Sequence, residues 1–369
     1  MPENSNTIFP SLILIDHLEN LTFEEREELR GNCNYILNLF GKNWLFENKN
    51  NNHPLKGFLG SSTGLLQLGE LAQGIKSLID KQNFYEIYKR LPSTEEFYGA
   101  YDEIRVANSL LKIGVQFNFI PKYKKTKSPD IQLHLSERDV FLEITGKEYP
   151  QEYLDAYENY KKILITSLEH HGDFRNQMKI YRPLSKPRTR EILQKMEELK
   201  KQVSITGFAE FHIKGVIDLT YFSKENLDKV PINVHNKQNV YPKFDEIPRI
   251  KGTIVEKARQ LNKNCAGILF IFDNILFPTR NIKRFLSRLK TKIEETVYDQ
   301  ENVSALVIFT EYVDIDGENK NFMSESDSYF SMTSFNPKTG IQTSKLAIFN
   351  KYSTHPLTDS EKQILKNIM

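Results

Sequence analysis

Cysteine, charge of one sign and long hydrophobic runs are all scarce in this sequence. Its two cysteines, Cys33 and Cys265, lie far apart among 369 residues. Such a pair gives no indication of a disulfide framework or a zinc site and is typical of a reducing cytoplasm. The 50 basic and 48 acidic residues nearly cancel. A protein that coats DNA through a large positive charge is therefore excluded, and any contact with nucleic acid has to come from a local basic patch.

The hydrophobic runs are also too short for a membrane protein. The longest, residues 266–272 and 305–309, have the length of strands and cannot cross a bilayer. Residues 1–10 lack the basic segment and apolar run of a signal peptide. We therefore expect a soluble, cytoplasmic protein with no membrane partner. Its length suits about two domains, or one core with large additions.

A helix followed by three strands is predicted in the middle of the first half of the chain. Ser93 and Glu96 have the spacing of a capping box. Apolar residues then recur at helical intervals as far as Gly114, which is a typical helix stop. Three strand-like runs follow, separated by polar or proline-containing residues: 115–120, 131–135 and 140–145.

Three of these elements carry an acidic residue that is conspicuous in its context. Glu103 lies in the apolar stripe of the helix, where a carboxylate is unexpected unless it has a polar or metal partner. Asp130 follows Pro129 at the start of the second strand, and Glu143 lies near the end of the third. The sequence therefore predicts a cluster of carboxylates drawn from separate elements.

Such a cluster suits a divalent metal ion. Mg²⁺ is a hard ion that is commonly held by one or two carboxylates together with water and substrate phosphate. Because side chains alternate along a strand, Glu143, Thr145 and Lys147 are expected on one face. Carboxylates with a nearby cation can hold an ion and activate water. The pattern indicates metal-assisted hydrolysis of a phosphodiester, with Mg²⁺ as the expected cofactor and Mn²⁺ as an alternative ion.

At these residues the chain resembles the PD-(D/E)xK nuclease superfamily, which has the restriction-endonuclease-like fold. That family's pattern is a helix with a Glu, a Pro-Asp at one strand and a Glu-x-Lys on the neighbouring strand. Glu103 matches the helix acid, Pro129-Asp130 matches the Pro-Asp, and Glu143 matches the strand acid. The resemblance implies that Asp130 and Glu143, joined by the carbonyl of Ile144, ligate the metal. Glu103 would lie in the inner or outer shell of the ion.

The chain departs from the family pattern at one position. Thr145 stands where the motif has its lysine, and a threonine cannot supply positive charge to the attacking water. Lys147 is expected to take that role, with Thr145 as a hydrogen-bonding partner. Gly146 would allow a bulge that swings Lys147 towards the metal. The departure also supports an alternative, a decayed module that binds nucleic acid or a protein without cleavage.

The resemblance also implies an α/β fold with a restriction-endonuclease-like core, in which a mixed sheet is flanked by helices. A helix at 252–263 and a strand at 266–272 would complete a helix-strand-strand-strand-helix-strand order. Residues 150 to about 205 would then be a helical insertion. We expect an N-terminal helical region, the core with its insertion, and a C-terminal hairpin with a helix packed on the core, over residues 1–92, 93–313 and 314–369.

A lysine-rich segment lies immediately before the Pro-Asp. It is well placed to contact a phosphate backbone, although a solvated hairpin loop is an equally good interpretation. The expected partner is nucleic acid, and DNA is favoured over RNA as the substrate. The resemblance makes a restriction or defence role plausible. A homo-oligomer is compatible with the sequence. The lysines of this candidate nucleic-acid-binding segment are Lys122, Lys124, Lys125 and Lys127.

Two further interpretations concern the later helix and the three acids. Some relatives in the family carry a Lys or Gln on the later helix, facing the site; Lys257 and Gln260 stand there, but an ordinary surface helix is favoured. The unremarkable alternative for the acids is that Asp130 starts a turn and Glu143 ends an exposed edge strand. Glu103 would then pair with a base such as Arg105 or Lys112.

Overall fold

The fold was analysed in a computed structural model. The chain forms two compact units, the first made of residues 1–148 and 246–369 and the second of residues 149–245. No described helix is long and apolar enough to span a membrane. The residues that the structure describes are 10–41, 44, 47, 53–122, 128–135, 137–147, 155, 159–160, 162–163, 166, 174–182, 184–223, 246–273, 282–313, 321–337 and 341–368.

Helices dominate the beginning of the first unit, as predicted for residues 1–92. A 3₁₀ helix at Pro10–His17 precedes them. They belong to the same compact unit as the sheet, so the boundary predicted at residue 92 does not separate two units. The helices are α1 (Phe23–Phe40), α2 (Pro54–Leu59), α3 (Ser62–Leu78), α4 (Phe84–Tyr88) and α5 (Phe97–Lys112).

Helix α5, which carries Glu103, begins and ends close to its predicted signals. The Ser93 hydroxyl accepts a hydrogen bond from the Glu96 amide at 3.3 Å, which forms half of the predicted capping box. Gly114 follows the helix with a φ of +74°. That left-handed conformation favours glycine and ends the helix.

A mixed sheet of eight strands, flanked by helices, forms the centre of the first unit, which confirms the predicted α/β class. The strand order is β1-β2-β3-β7-β8-β11-β10-β9. β3 pairs with β7 and β7 with β8 in parallel, and the other neighbours are antiparallel. The strands are β1 (Gln116–Phe119), β2 (Ile131–His134), β3 (Asp139–Lys147), β7 (Ala266–Asp273), β8 (Ala305–Val313), β9 (Phe322–Ser326), β10 (Tyr329–Asn336) and β11 (Ile341–Phe349).

Successive side chains of β3 enter different cores. Leu142 and Ile144 belong to the core that includes α5. Phe141 packs against the core formed with the helices on the other face, α7 (Glu246–Ala258) and α8 (Ile282–Tyr298). By strand alternation the positions of Glu143 and Thr145 lie on the face of Phe141.

The bulge expected at Gly146 is absent from the pairing of β3 with β7. The register runs without interruption from Val140 opposite Ala266 to Lys147 opposite Asp273. A different constraint explains the glycine, because a Cβ there would lie 2.6 Å from Oδ2 of Asp102. Gly146 therefore permits the close approach of α5 rather than a shift of Lys147.

Helix α7 begins earlier and ends earlier than the predicted helix at 252–263. Pro248 led the prediction to start too late, since proline is a common loop residue. In α7 it lies in the first turn, where the missing N–H has no helical partner to lose. The helix ends at Ala258, so Gln260 lies in the following turn.

The second unit is not the helical insertion predicted at 150 to about 205. It extends to residue 245 and contains an antiparallel sheet of order β4-β6-β5 beside one long helix. The first strand was missed because its middle residues, Arg-Asn-Gln, have low strand propensity. The described elements are β4 (Phe174–Ile180), α6 (Lys186–Thr206), β5 (Phe208–Ile213) and β6 (Ile217–Ser223).

The end of the chain adds strands and a helix to the first unit. The predicted hairpin is formed by β10 and β11, with Asn336 opposite Ile341. Strand β9, which was not predicted, pairs with β10 and ends the sheet among the described strands. The predicted terminal helix is α9 (Asp359–Asn367), and a capping box of Thr358 and Glu361 begins it.

Candidate active site

Asp130 is fixed by three backbone contacts at the beginning of β2. Its amide donates to the Leu142 carbonyl at 2.8 Å, and its carbonyl accepts from the Ile120 amide at 2.9 Å. Its side-chain Oδ2 accepts from the amide of Ile144 at 2.6 Å. These bonds hold the carboxylate between the end of β1 and the middle of β3. Leu142 and Ile144 therefore turn backbone polar groups towards Asp130.

Glu143 lies in the interior of the sheet rather than on an exposed edge. β3 has β2 on one side and β7 on the other, and Glu143 is only 1% exposed. Its Oε1 accepts a hydrogen bond at 2.9 Å from Nζ of Lys257, which is in the last turn of α7. The favoured prediction that Lys257 is an ordinary surface residue is therefore wrong.

Glu103 is the third buried carboxylate. Its Oε2 accepts from the Arg90 guanidinium at 2.6 Å. Its Oε1 lies 3.9 Å from Nζ of Lys122, and the same ammonium group forms an ion pair with Oδ1 of Asp130. Lys122 therefore links the helix acid to the strand acid. We call Glu103, Asp130 and Glu143 the acid cluster.

The unremarkable alternative for these acids is wrong about the exposed edge strand but right that Glu103 pairs with a base, which is Arg90. Arg105, which it paired with Glu103, instead forms an ion pair with Glu311. All three residues of the acid cluster are buried. Because ions are rarely buried unless they are paired or bind a metal, this arrangement requires compensation by Arg90, Lys122 and Lys257.

Burial and the charge of Asp130 raise the pKa of both glutamates of the acid cluster. The pKa of Glu143 is raised to about 8, first by burial and then by the charge of Asp130, against the opposing effect of Lys257. The pKa of Glu103 is raised to about 7 by the same two causes, with Arg90 opposing. The part of each shift that is due to the charge of Asp130 shows that a positive charge is favoured next to these glutamates.

Two carboxylate oxygens of the acid cluster lack a hydrogen bond from any described residue. They are Oδ1 of Asp130 and Oε2 of Glu143, and both are buried. Oδ1 of Asp130 is nevertheless neutralised by a direct ion pair with the ammonium group of Lys122, whereas Oε2 of Glu143 has no such partner among the described residues. Buried oxygens in this state are unusual, because the great majority of buried polar atoms have a hydrogen-bond partner.

These two oxygens are suitable ligands for Mg²⁺ or Mn²⁺, although the protein would supply only a few of the ion's ligands. No three acidic, histidine or cysteine side chains among the described residues are arranged to hold an ion. Mg²⁺ does not require such a cage, since it keeps several waters and often takes only one or two carboxylates. Asp130 and Glu143 supply two carboxylates, one with an oxygen that faces Lys122 and one with an oxygen that lacks a hydrogen bond from the described residues. The residues therefore fit a metal site that water and substrate would complete.

The other predicted site residues are less well connected to the acid cluster. Thr145 is partly buried, and its hydroxyl donates to the Gly146 carbonyl at 3.4 Å. Lys147 pairs through its backbone position with Asp273, while its side chain lies outside the described residues. Three predicted nucleic-acid-binding residues also lie outside them: Lys124, Lys125 and Lys127.

Sequence reasoning missed one base that contacts the acid cluster, Arg90, and set another, Lys257, aside as an ordinary surface residue. Arg90 precedes α5 in a short turn, and nothing in its neighbourhood distinguishes it from other arginines. Lys257 was noticed only through the resemblance. The helix before strand β7 could have indicated Lys257. Every residue of β7 is buried, so the helix before it has to cover this part of the sheet, including the neighbouring strand β3.

Comparison with known proteins gave no relative for this chain. No family model, no curated protein and no solved structure was found to match it. The acid cluster and the bases that contact it are therefore the observations from which a function can be inferred.

Proposed function

We propose that the protein is a Mg²⁺-dependent nuclease, with DNA as its preferred substrate. The observation that carries this proposal is that buried Asp130 lies within electrostatic reach of two further buried acids, Glu103 and Glu143, and that Oε2 of Glu143 has no hydrogen bond from a described residue. A divalent cation satisfies such oxygens, and a phosphodiester is the substrate class whose hydrolysis such an ion promotes.

The order and pairing of the elements around the acid cluster support a restriction-endonuclease-like core. α5 is followed by the antiparallel strands β1, β2 and β3, and α7 leads to β7, which lies parallel to β3. This is the helix-strand-strand-strand-helix-strand order that the resemblance to the PD-(D/E)xK superfamily implies. The acids lie on α5, before β2 and on β3, as that family's pattern requires.

The proposed roles follow from the contacts. Asp130 and Glu143 would hold the ion, with the Ile144 carbonyl on the Asp130 side of β3, and Glu103 would orient its outer shell. Bound metal supplies a Lewis acid and lowers the pKa of water. Lys257 would orient that water and stabilise charge on the phosphate, because its ammonium group already contacts Glu143. Thr145 cannot do so, and Lys147 remains a second candidate.

A nucleic-acid-binding module without cleavage is the second candidate function. Thr145 in the lysine position favours it, as does the engagement of every acid by a base. In this case the acid cluster would be a buried network of ion pairs that stabilises the sheet. The two functions differ in whether a metal ion changes the properties of the protein.

Nicking of supercoiled plasmid DNA with Mg²⁺ or Mn²⁺ tests the proposal. We expect cleavage that a chelator stops. Asp130→Asn and Glu143→Gln should each lower the rate at least about 100-fold, because each removes a charged metal ligand from a buried site. The matched control is Asp139→Asn, an exposed acid on the same strand, which should cleave like the wild type. DNA binding in chelator without any cleavage would favour the second function.

A further inference from the structure

We propose that Lys122 is an internal counter-ion that occupies the cation position of the acid cluster and leaves it when a divalent metal ion binds. This inference rests on the proposed function and concerns the regulation of the same site. It makes Lys122 a residue that limits metal affinity in the free protein rather than a residue that holds nucleic acid from the outset.

The position of the ammonium group is the first support. Nζ of Lys122 is in ionic contact with Oδ1 of Asp130 and lies 3.9 Å from Oε1 of Glu103. Oδ1 of Asp130 is one of the two buried oxygens without a hydrogen bond. The atom that a metal would ligate is therefore the atom that faces the ammonium group. A dication on the same oxygen would lie within a few ångströms of a like charge and repel it strongly.

The mobility expected of Lys122 is the second support. Its side chain is 46% exposed, against 18% for Arg90 and 24% for Lys257. Lys257 extends from a helix, and Arg90 is tied to the Glu86 carbonyl as well as to Glu103. Lys122 extends from the segment after β1 and can turn to solvent without breaking secondary structure. Of these three bases it is the one that can leave at the smallest cost.

The third support is that a displaced lysine has a suitable new partner in the phosphate of a nucleic acid. An ammonium group that leaves carboxylates is free to pair with a phosphate oxygen, which is the usual partner of lysine in nucleic-acid complexes. Metal and phosphate would then bind together, because the metal takes the carboxylates and the phosphate takes the lysine. Such a site is protected from stray metal until a substrate is present, and the two bindings are coupled in both directions.

Calorimetric titration of Mn²⁺ into the full chain, without nucleic acid, tests the inference. Lys122→Met should bind Mn²⁺ at least about tenfold more tightly than the wild type, because the competing charge is gone. Lys112→Met, an exposed lysine at the end of α5, is the matched control and should bind like the wild type. In chelator the melting temperature of Lys122→Met should fall, and Mn²⁺ should raise it by more than it raises that of the wild type.

The results separate the inference from the proposed function. If Lys122→Met binds Mn²⁺ no more tightly than the wild type while Asp130→Asn loses binding, the counter-ion role is overturned and the metal site stands. If Asp130→Asn binds as the wild type does, the proposed metal site itself fails. If neither the wild type nor Lys122→Met binds Mn²⁺, both ideas fail. Should Lys122→Met not fold, Lys122→Gln removes the same charge and must show the same gain.

Discussion

Two of the places where the first unit buries charge differ in how that charge is satisfied. In the acid cluster, Oδ1 of Asp130 and Oε2 of Glu143 are buried without a hydrogen bond from the described residues. Lys345 on β11 is only 1% exposed, yet its ammonium group donates to three backbone carbonyls at the end of α9. Those acceptors are Leu365 at 3.3 Å, Lys366 at 2.7 Å and Ile368 at 2.8 Å.

The difference separates a structural use of buried charge from a functional one. Lys345 satisfies carbonyls that a helix end leaves without partners, and all its donors are used. Nothing further has to bind there. The acid cluster, by contrast, buries Oε2 of Glu143 without a hydrogen bond from the described residues, which costs free energy unless a cation or another donor completes the site. We therefore infer a ligand at the acid cluster and none at Lys345.

Among the variants that test this comparison, Lys257→Met is expected to have the largest effect, which is on the cleavage rate. Lys257→Met should lower the rate of metal-dependent DNA cleavage at least about 100-fold, because it removes the ammonium group that contacts Glu143. Mn²⁺ affinity should not fall, since the freed carboxylate is more available to the ion. Single-turnover cleavage and calorimetry measure the two quantities separately.

Two variants serve as comparisons for this prediction. Lys251→Met changes a lysine of the same helix that is only partly buried, and it should cleave at nearly the rate of the wild type. Lys147→Met tests the residue that the sequence favoured. A large loss in Lys147→Met, with a normal rate in Lys257→Met, would return the catalytic role to Lys147.

A smaller effect, on stability alone, is expected at Lys345. Lys345→Met should lower the free energy of unfolding by about 2 kcal/mol, because carbonyls at the end of α9 lose a charged donor. The effect is less than the sum of the bonds, since burial of the charge is itself unfavourable and lowers the pKa of Lys345 to about 8. Urea unfolding measures it, and DNA cleavage should not change.

The control for Lys345 lies on the helix that it caps. Lys362 forms an ion pair at 2.9 Å with Asp359, whose side chain is almost fully exposed. Lys362→Met should therefore change stability by less than about 0.5 kcal/mol. Equal losses in both variants would show that the hydrogen bonds of Lys345 contribute nothing beyond an ordinary surface lysine.

Local patterns predicted much of the sheet and its neighbouring helices. The apolar spacing after Ser93 and the glycine at position 114 located α5 closely. Short apolar runs located β2, β3 and β7 to within a few residues. Strand β4 and strand β9 escaped because polar residues interrupt them, and their pairing depends on partners distant in sequence.

The site was predictable only in part, for a related reason. A motif places three acids in the sequence, but it does not specify the bases that neutralise them. Lys257 reaches Glu143 across 114 positions of sequence, and Lys122 was noticed as a ligand for phosphate rather than for Asp130. Such pairs are decided by packing of the folded chain, which no local pattern encodes.

The most gradual expected effect is a pH dependence of stability in the metal-free protein. The pKa of Glu143 is about 8 in the folded state, above its ordinary value of 4.5, chiefly because of burial. Between these values the folded state binds more protons than the unfolded state. The contribution of Glu143 to the free energy of unfolding therefore falls as the pH rises from about 4.5 to about 8, by at most about 1.4 kcal/mol per pH unit.

Urea unfolding in chelator at several pH values between 5 and 8 measures this slope. Glu143→Gln should reduce the slope to the part that Glu103 contributes, because one of the two titrating groups is gone, whereas the exposed control Asp139→Asn should keep the wild-type slope. Saturating Mn²⁺ should also flatten it, since a bound cation favours the ionised carboxylate over this range. An identical slope in the wild type and in Glu143→Gln would mean that Glu143 is already ionised and compensated. The acid cluster would then resemble Lys345, as a satisfied structural site.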